Sequence, residues 1–237
     1  MSAGALRALH VPGDPLILPN AWDAGTARLV AEAGFPAVAT TSSGVADALG
    51  YADGEQTPVG EMLAAVARVA RAVAVPVTAD MEAGYRLEPA ELARRVQATG
   101  AVGLNLEDTD HARHPALVPV ERQMERIAAV KAAADLVVNA RVDVHLRGGA
   151  TDDALARGRA YRDAGADCVY PIGVTDEDTI ARFVERCEVV NVLLGPGAPP
   201  VERLAPLGVA RVSLGHLLHA EMTDALRQRL AELQPPR

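Results

Sequence analysis

The stretch "VPVTADMEAGY", residues 75–85, reads first as a strand and then as something else. Val75 to Ala79 form a continuous apolar and β-branched run, as a strand covered on both faces requires. Asp80 and Glu82 stand where that run ends, and Gly84 follows them. Two carboxylates two positions apart on an extended segment point to the same side. Like charges on one side repel, and a cation is the simplest offset.

The same arrangement recurs along the chain. Strands are predicted at residues 16–18, 37–40, 75–79, 102–106, 136–140, 168–171, 189–194 and 210–214, each a continuous apolar run. Helix signals lie between them. Thr57-Pro58 reads as an N-cap with proline at N1, and Glu88-Pro89 opens a further helix. Thr151 with Asp152 and Asp153 starts a third, and Thr175 with Asp178 resembles a capping box. Gly34, Gly100, Gly165 and Gly208 each fall where a helix ends just before a strand. Eight β-α units without a break in composition predict one (β/α)8 TIM barrel domain over residues 1–237. A doubly wound sheet is the alternative, but no GxGxxG follows the first strand.

Composition narrows the function. A net charge of −8 argues against a nucleic-acid surface, and an aromatic share of 3% leaves few stacking platforms. No apolar segment is long enough for a membrane span and no signal-peptide pattern is seen, so a cytoplasmic protein is expected. The two cysteines, Cys168 and Cys187, have neither metal-type spacing nor a disulfide framework.

In such barrels the active site lies at the carboxyl ends of the strands. Those ends carry Asn20, Trp22 and Asp23, then Thr41, Ser42, Ser43 and Gly44 with Asp53 farther along the same loop. Next come Asp80 and Glu82, Glu107 and Asp108, and Arg141 and Asp143. An acid just past a strand is often only the cap of the next helix. Acids on three adjacent strand ends beside one arginine exceed what capping needs. Oxygen ligands with few histidines suit Mg²⁺ or Mn²⁺ rather than zinc.

Six segments in order, "PNAWDAGTARLVAEAGFPAVATTSSG", "GYADGE", "TADMEAGY", "LNLED", "NARVD" and "GPGAP", resemble the isocitrate lyase/phosphoenolpyruvate mutase superfamily. The likeness runs from about Leu16 to His219 and is that of a short bacterial member. It implies a (β/α)8 barrel whose last helix is exchanged between subunits of a homodimer or homotetramer. It also implies Mg²⁺ and a small 2-oxo or 2-hydroxy carboxylate. Carried over, Asp80 resembles the direct metal ligand, and Asp53, Glu82 and Glu107 the acids that hold metal-bound water. Ser43 and Gly44 would offer backbone N–H groups to a substrate carboxylate, and Arg141 would pair with substrate oxygens. Trp22 and Asp23 match a pocket wall and its hydrogen-bonding partner. The implied chemistry is cleavage of a C–C or P–C bond through a metal-bound enolate.

The chain departs from its relatives in the loop "EDTDHARHPALVP". Isocitrate and methylisocitrate lyases carry a catalytic cysteine in a Lys-Arg-Cys-Gly-His type stretch there, and the phosphonate enzymes carry a lysine. This loop has neither, but it offers His111, Arg113 and His114. The catalytic candidates are therefore Arg141, Asp53, His111 and His114, with His216 as a further substrate contact. The leading expectation is a Mg²⁺-dependent C–C lyase or decarboxylase. Phosphonopyruvate mutase or hydrolase chemistry is the rival on the same platform, and a non-catalytic 2-oxoacid-binding barrel the rival from another class. Residues 109–119, with two prolines and no helical pattern, are expected to form a mobile surface lid.

Overall fold

The computed structural model describes residues 1–111 and 116–233. A short helix, α1 (Ala3–Ala8), precedes the first strand. There follow β1 (Leu16–Leu18), β2 (Asn20–Ala21), α2 (Ala24–Glu32), β3 (Val38–Thr40), α3 (Ser42–Leu49) and α4 (Val59–Ala72). The middle of the chain gives β4 (Val77–Asp80), α5 (Pro89–Ala98), β5 (Gly103–Glu107), α6 (Val120–Ala133) and β6 (Val137–Val142). The last third gives α7 (Thr151–Asp163), β7 (Cys168–Pro171), α8 (Glu177–Cys187) and β8 (Asn191–Leu193). It ends with α9 (Val201–Leu204), β9 (Arg211–Ser213) and α10 (Leu217–Glu232).

Every ladder is parallel. Six strands run in the order β2-β3-β4-β5-β6-β7 and three in the order β1-β9-β8. Two links join these sheets into a ring. β1 and β2 are one strand interrupted at Pro19, which has no N–H to give a ladder. β7 meets β8 through a parallel bridge between Val169 and Val190, with the Val169 N–H 3.0 Å from the Val189 carbonyl. The result is the predicted eight-stranded (β/α)8 barrel. The strands lie within two residues of their predicted positions, because continuous apolar runs between helix-ending glycines leave little latitude. Gly34, Gly100, Gly165 and Gly208 take φ values of 89°, 92°, 100° and 90°, the left-handed region that closes a helix.

Cap positions differ from expectation by a residue. Asp176, not Thr175, caps α8 by accepting from the Thr179 N–H at 2.8 Å. Thr57 is buried and Pro58 stands at the start of α4. The segment after β3, expected as a loop, turns directly into α3.

Helix α1 seals the amino-terminal end of the barrel. Leu6 is fully buried among Leu16, Leu18, Val102 and Val137. A Cβ on Gly103 would stand 2.9 Å from the Val137 carbonyl and 3.0 Å from Leu6, so glycine is what lets α1 seat. Arg7 reaches Asp167 at 2.6 Å, and Lys131 meets the same carboxylate at 2.7 Å. His10, next to this plug, is buried, with Nδ1 2.9 Å from the Leu6 carbonyl oxygen.

Burial, with Arg211 adding to it, pushes the His10 imidazole down to about 4. The unfolded chain takes up this proton below about pH 6.5 while the folded chain resists it, so stability falls as pH drops through that window. Urea unfolding of the wild type should lose about 2 kcal/mol more between pH 7.5 and 5 than unfolding of His10→Gln. Equal losses would show that His10 is not held neutral.

Candidate active site

The carboxyl ends of the strands surround a cavity of about 420 Å³ lined by Ser42, Asp53, Gly54, Gln56, Glu82, Glu107, His111, Arg141 and Arg147. Strand ends and the loops after them put these groups there, since β5 ends at Glu107 and β6 carries Arg141 in register beside it.

Arg141 is the hub. Its Nε and Nη2 grip both oxygens of the buried Asp143 at 2.6 and 2.9 Å, and Nη1 lies 2.7 Å from Glu107 Oε2. Burial opposes its charge, but Glu107 and Asp143 outweigh burial and hold its pKa well above the usual guanidinium value. Glu107 is raised by burial, against the pull of Arg141 and His111. His111 Nε2 stands 2.7 Å from Glu107 Oε1 and 3.8 Å from Glu82 Oε2. The contact with Glu107 raises the imidazole above its ordinary value.

Glu82 is fastened from two sides. Tyr85 donates its hydroxyl to Oε1 at 2.5 Å, and the Glu55 N–H meets Oε2 at 2.7 Å. The Glu55 carboxylate in turn accepts the Tyr85 N–H at 2.5 Å, so the two loops lock together. Glu55, Glu82, Tyr85 and Arg86 all have positive φ, between 46° and 60°, conformations that cost side-chain-bearing residues energy. Burial pushes Glu82 up to about 7, aided by the charges of Asp53, Asp80 and Glu107 and opposed by the Tyr85 hydrogen bond.

Asp80 ends β4 beside the start of α3. Its Oδ2 accepts the Ser42 N–H at 3.0 Å and its Oδ1 lies 3.4 Å from Asn105 Nδ2. Ser43 and Gly44 occupy the first turn of α3, whose N–H groups lack partners within the helix and favour anions. A Cβ on Gly44 would sit 2.8 Å from Thr41 and 3.1 Å from Trp22, so close packing demands glycine here.

Other expected residues fall elsewhere. Asp23 is exposed and caps α2, accepting the Thr26 N–H at 2.7 Å, which is the commoner role of an acid after a strand. Trp22 is buried, edge-on to His219 with ring centroids 4.8 Å apart. His216 is exposed at the N-cap of α10 and does not line the cavity. Asp108 is a structural acid, accepting from Tyr161 at 2.7 Å, from Arg157 at 3.2 Å and from the Asp143 N–H at 2.8 Å. His114 and Arg113 lie outside the described residues. The ends of the expected lid are pinned rather than loose. Thr109 is buried, donates to Asp143 and bridges to Leu117, and the Val118 N–H meets the Asp108 carbonyl at 2.8 Å.

Sequence reasoning passed over Gln56, Arg147 and Asn105. Arg147 lies in the turn that follows β6 and donates to Thr109 at 3.0 Å. Asn105 was visible as a polar residue in the middle of an apolar strand. The chain has one lysine, Lys131, and it is spent on Asp167 and the Leu136 carbonyl, away from the cavity.

The donor set fits a magnesium-like ion. The acidic groups of the lining are the carboxylates Asp53, Glu82 and Glu107, set beside Arg141, Arg147 and His111. Among the described residues no three His, Cys, Asp or Glu side chains stand close enough together to hold a metal ion between them. One or two direct carboxylates with water completing the shell is the ordinary Mg²⁺ arrangement.

A parallel barrel with an oxygen-rich acid cluster at its carboxyl face defines the class of (β/α)8-barrel proteins whose sites lie at that face. Comparison with known proteins places the chain within it. A family model described as phosphoenolpyruvate phosphomutase matches residues 6–234, and the chain belongs to that family, within the phosphoenolpyruvate mutase/isocitrate lyase superfamily. A Mycobacterium tuberculosis protein of uncharacterised function is 38% identical over 211 residues, covering 87% of this chain and 80% of the relative. An oxaloacetate decarboxylase of Rhodopseudomonas palustris is 30% identical over 247 residues, covering 98% and 84%. The structure of a phosphonopyruvate hydrolase complexed with oxalate and Mg²⁺ superposes with a TM-score of 0.85 at 27% identity, covering 98% of this chain and 87% of that one.

Arg141→Lys keeps a charge but loses the planar grip on Asp143. It should destabilise the fold by about 1–3 kcal/mol in urea unfolding, since a buried carboxylate loses a partner. An unchanged midpoint would mean that the Arg141–Asp143 pairing contributes nothing to folding.

Proposed function

We propose that this protein is a Mg²⁺-dependent lyase or decarboxylase that breaks a C–C bond in a small 2-oxo or 2-hydroxy carboxylate. The observation that carries this reading is the facing of Arg141 and the α3 N-terminus across a cavity walled by Asp53, Glu82 and Glu107. The N–H groups at Ser43 and Gly44 suit a substrate carboxylate. Asp80 would hold the cation directly, and Asp53, Glu82 and Glu107 would hold its water. A bound cation would supply Lewis-acid polarisation of the keto oxygen. As the bond breaks, its electron pair moves toward that oxygen, and Arg141 faces the growing negative charge. His111, whose imidazole the contact with Glu107 raises above its ordinary value, stands in the cavity to return a proton to carbon.

Oxaloacetate-type substrates suit these residues best, because carbon dioxide leaves without an acid. The rival, P–C bond chemistry, is favoured by the likeness to phosphonopyruvate hydrolase. Against it, the single lysine is committed to Asp167 at the amino-terminal end of the barrel. We read the protein as a cytoplasmic homo-oligomer; among the described residues no helix is long and apolar enough to cross a membrane. Helix α10 buries none of its residues and exposes Met222, Leu226, Leu230 and, just beyond it, Leu233, which supports its exchange with a second subunit.

The test is a panel of oxaloacetate, isocitrate, 2-methylisocitrate and phosphonopyruvate, with Mg²⁺ or EDTA. Pyruvate should form from oxaloacetate only with metal, and Asp80→Asn should lower turnover by at least about 100-fold. His111→Ala should lower it less, by about 10²-fold at most, since water can replace a proton donor. Rapid glyoxylate release from either isocitrate, or full activity in EDTA, would overturn the reading.

A further inference from the structure

Among the described residues Arg211 is the largest fully buried side chain, and it has no carboxylate within ion-pair distance. A buried charge without a paired acid is costly, so its retention calls for a reason. Its contacts supply one. Nε donates to Ser213 Oγ at 3.0 Å, which fixes the guanidinium in the barrel interior. Nη2 reaches across the barrel to Asn105 Oδ1 at 3.4 Å. Asn105 Nδ2 then points the other way, 3.4 Å from Asp80 Oδ1.

The chemistry of the donors makes this chain directional. An asparagine amide turned over exchanges its donor and acceptor ends. Asn139 also donates to Asn105 Oδ1, at 2.8 Å, but Asn139 could offer its own oxygen instead, because that oxygen has no partner among the described residues. A guanidinium has no acceptor to offer. Turned over, Asn105 would set its NH₂ against Arg211 and its oxygen against the Asp80 carboxylate. The Asp80 carboxylate, an acceptor only, opposes the flip from the cavity side, and Arg211, a donor only, opposes it from within the barrel.

We propose that Arg211 is a positioning residue for the metal site: through Asn105 it sets the orientation in which the Asp80 carboxylate meets a divalent cation. Asp80 is held between two donors, the Ser42 N–H on Oδ2 and the Asn105 amide on Oδ1, and each oxygen keeps a lone pair for the ion. Arg211 touches neither substrate nor cation. The inference rests on the reading of Asp80 as the direct metal ligand.

Mn²⁺ binding followed by electron paramagnetic resonance tests it without turnover. The proteins are wild type, Asp80→Asn, Arg211→Lys, Asn105→Ala and the Arg211→Lys/Asn105→Ala double variant, each checked for fold by circular dichroism. Arg211→Lys keeps the buried charge and much of the volume, which guards the fold. Arg211→Lys and Asn105→Ala should each weaken Mn²⁺ binding about tenfold, the usual effect of losing an outer partner of a ligand. The double variant should also lose about tenfold, not a hundredfold, because both changes break one chain. Mn²⁺ bound equally by wild type and Asp80→Asn would overturn the metal reading and the proposal with it. Binding lost in Asp80→Asn but intact in Arg211→Lys would overturn the proposal alone, as would fully additive losses in the double variant.

Discussion

Six carboxylates, Asp53, Asp80, Glu82, Glu107, Asp108 and Asp143, crowd the ends of neighbouring strands, and mutual repulsion is the constraint that the rest of the site answers. Arg141 answers most of it. It spans Glu107 and Asp143 with three contacts of 2.6 to 2.9 Å. A guanidinium suits this position because its donors form a rigid planar fork that one carboxylate can fill, with a donor left for a second. Asp108 is neutralised behind the site by Arg157 and Tyr161, which removes it from the cavity altogether. What remains, Asp53, Asp80 and Glu82, is the unbalanced charge. Burial, aided by the charges of Asp53, Asp80 and Glu107, pushes Glu82 up to about 7.

The loops around the cavity are held by each other. The Glu55 N–H donates to the Glu82 carboxylate, the Glu55 carboxylate accepts the Tyr85 N–H, Tyr85 donates its hydroxyl to Glu82, and four non-glycine residues stay in left-handed conformations there. Strain of that kind persists only where surrounding contacts over-determine the backbone. Arg126 adds a brace from α6, donating to Gln123 at 2.7 Å and to the Ala83 carbonyl. The acids are thus presented on a rigid rim, which limits the reorganisation needed when charge develops in the cavity. The loop after β5 shares this rigidity at its ends through Thr109 and Val118.

Below the rim the barrel interior is polar where an apolar packing would have sufficed. Asn105, Asn139 and Arg211 form one connected set there, and all three are buried. Asn139 Oδ1 and Arg211 Nη1 have no hydrogen-bond partner among the described residues, but the directional bonds the set does make fix orientation in a way that apolar packing cannot. Helix α1 keeps water from reaching this set from the other end, by placing Leu6 over the strand starts and anchoring Arg7 to Asp167.

The sequence by itself determined the barrel and the rim acids. Runs such as Val75–Ala79 are apolar throughout because both faces of a parallel strand are covered, and glycines such as Gly100 are needed where each helix must turn left-handed. Strand ends then placed Asp80, Glu82, Glu107 and Arg141 together without further information. What only the tertiary structure decided was which polar residue faces which. Asp23 and Glu82 both stand two positions past a strand, yet one caps a helix and the other walls the cavity. Asp108 stands next to Glu107 and points to the opposite side, into Arg157 and Tyr161 from α7. Asn105 and Arg211 are 106 residues apart and meet only because the barrel closes. Periodicity reports the environment of a backbone segment; a hydrogen-bond partner is set by the distance across the fold, which no local pattern encodes.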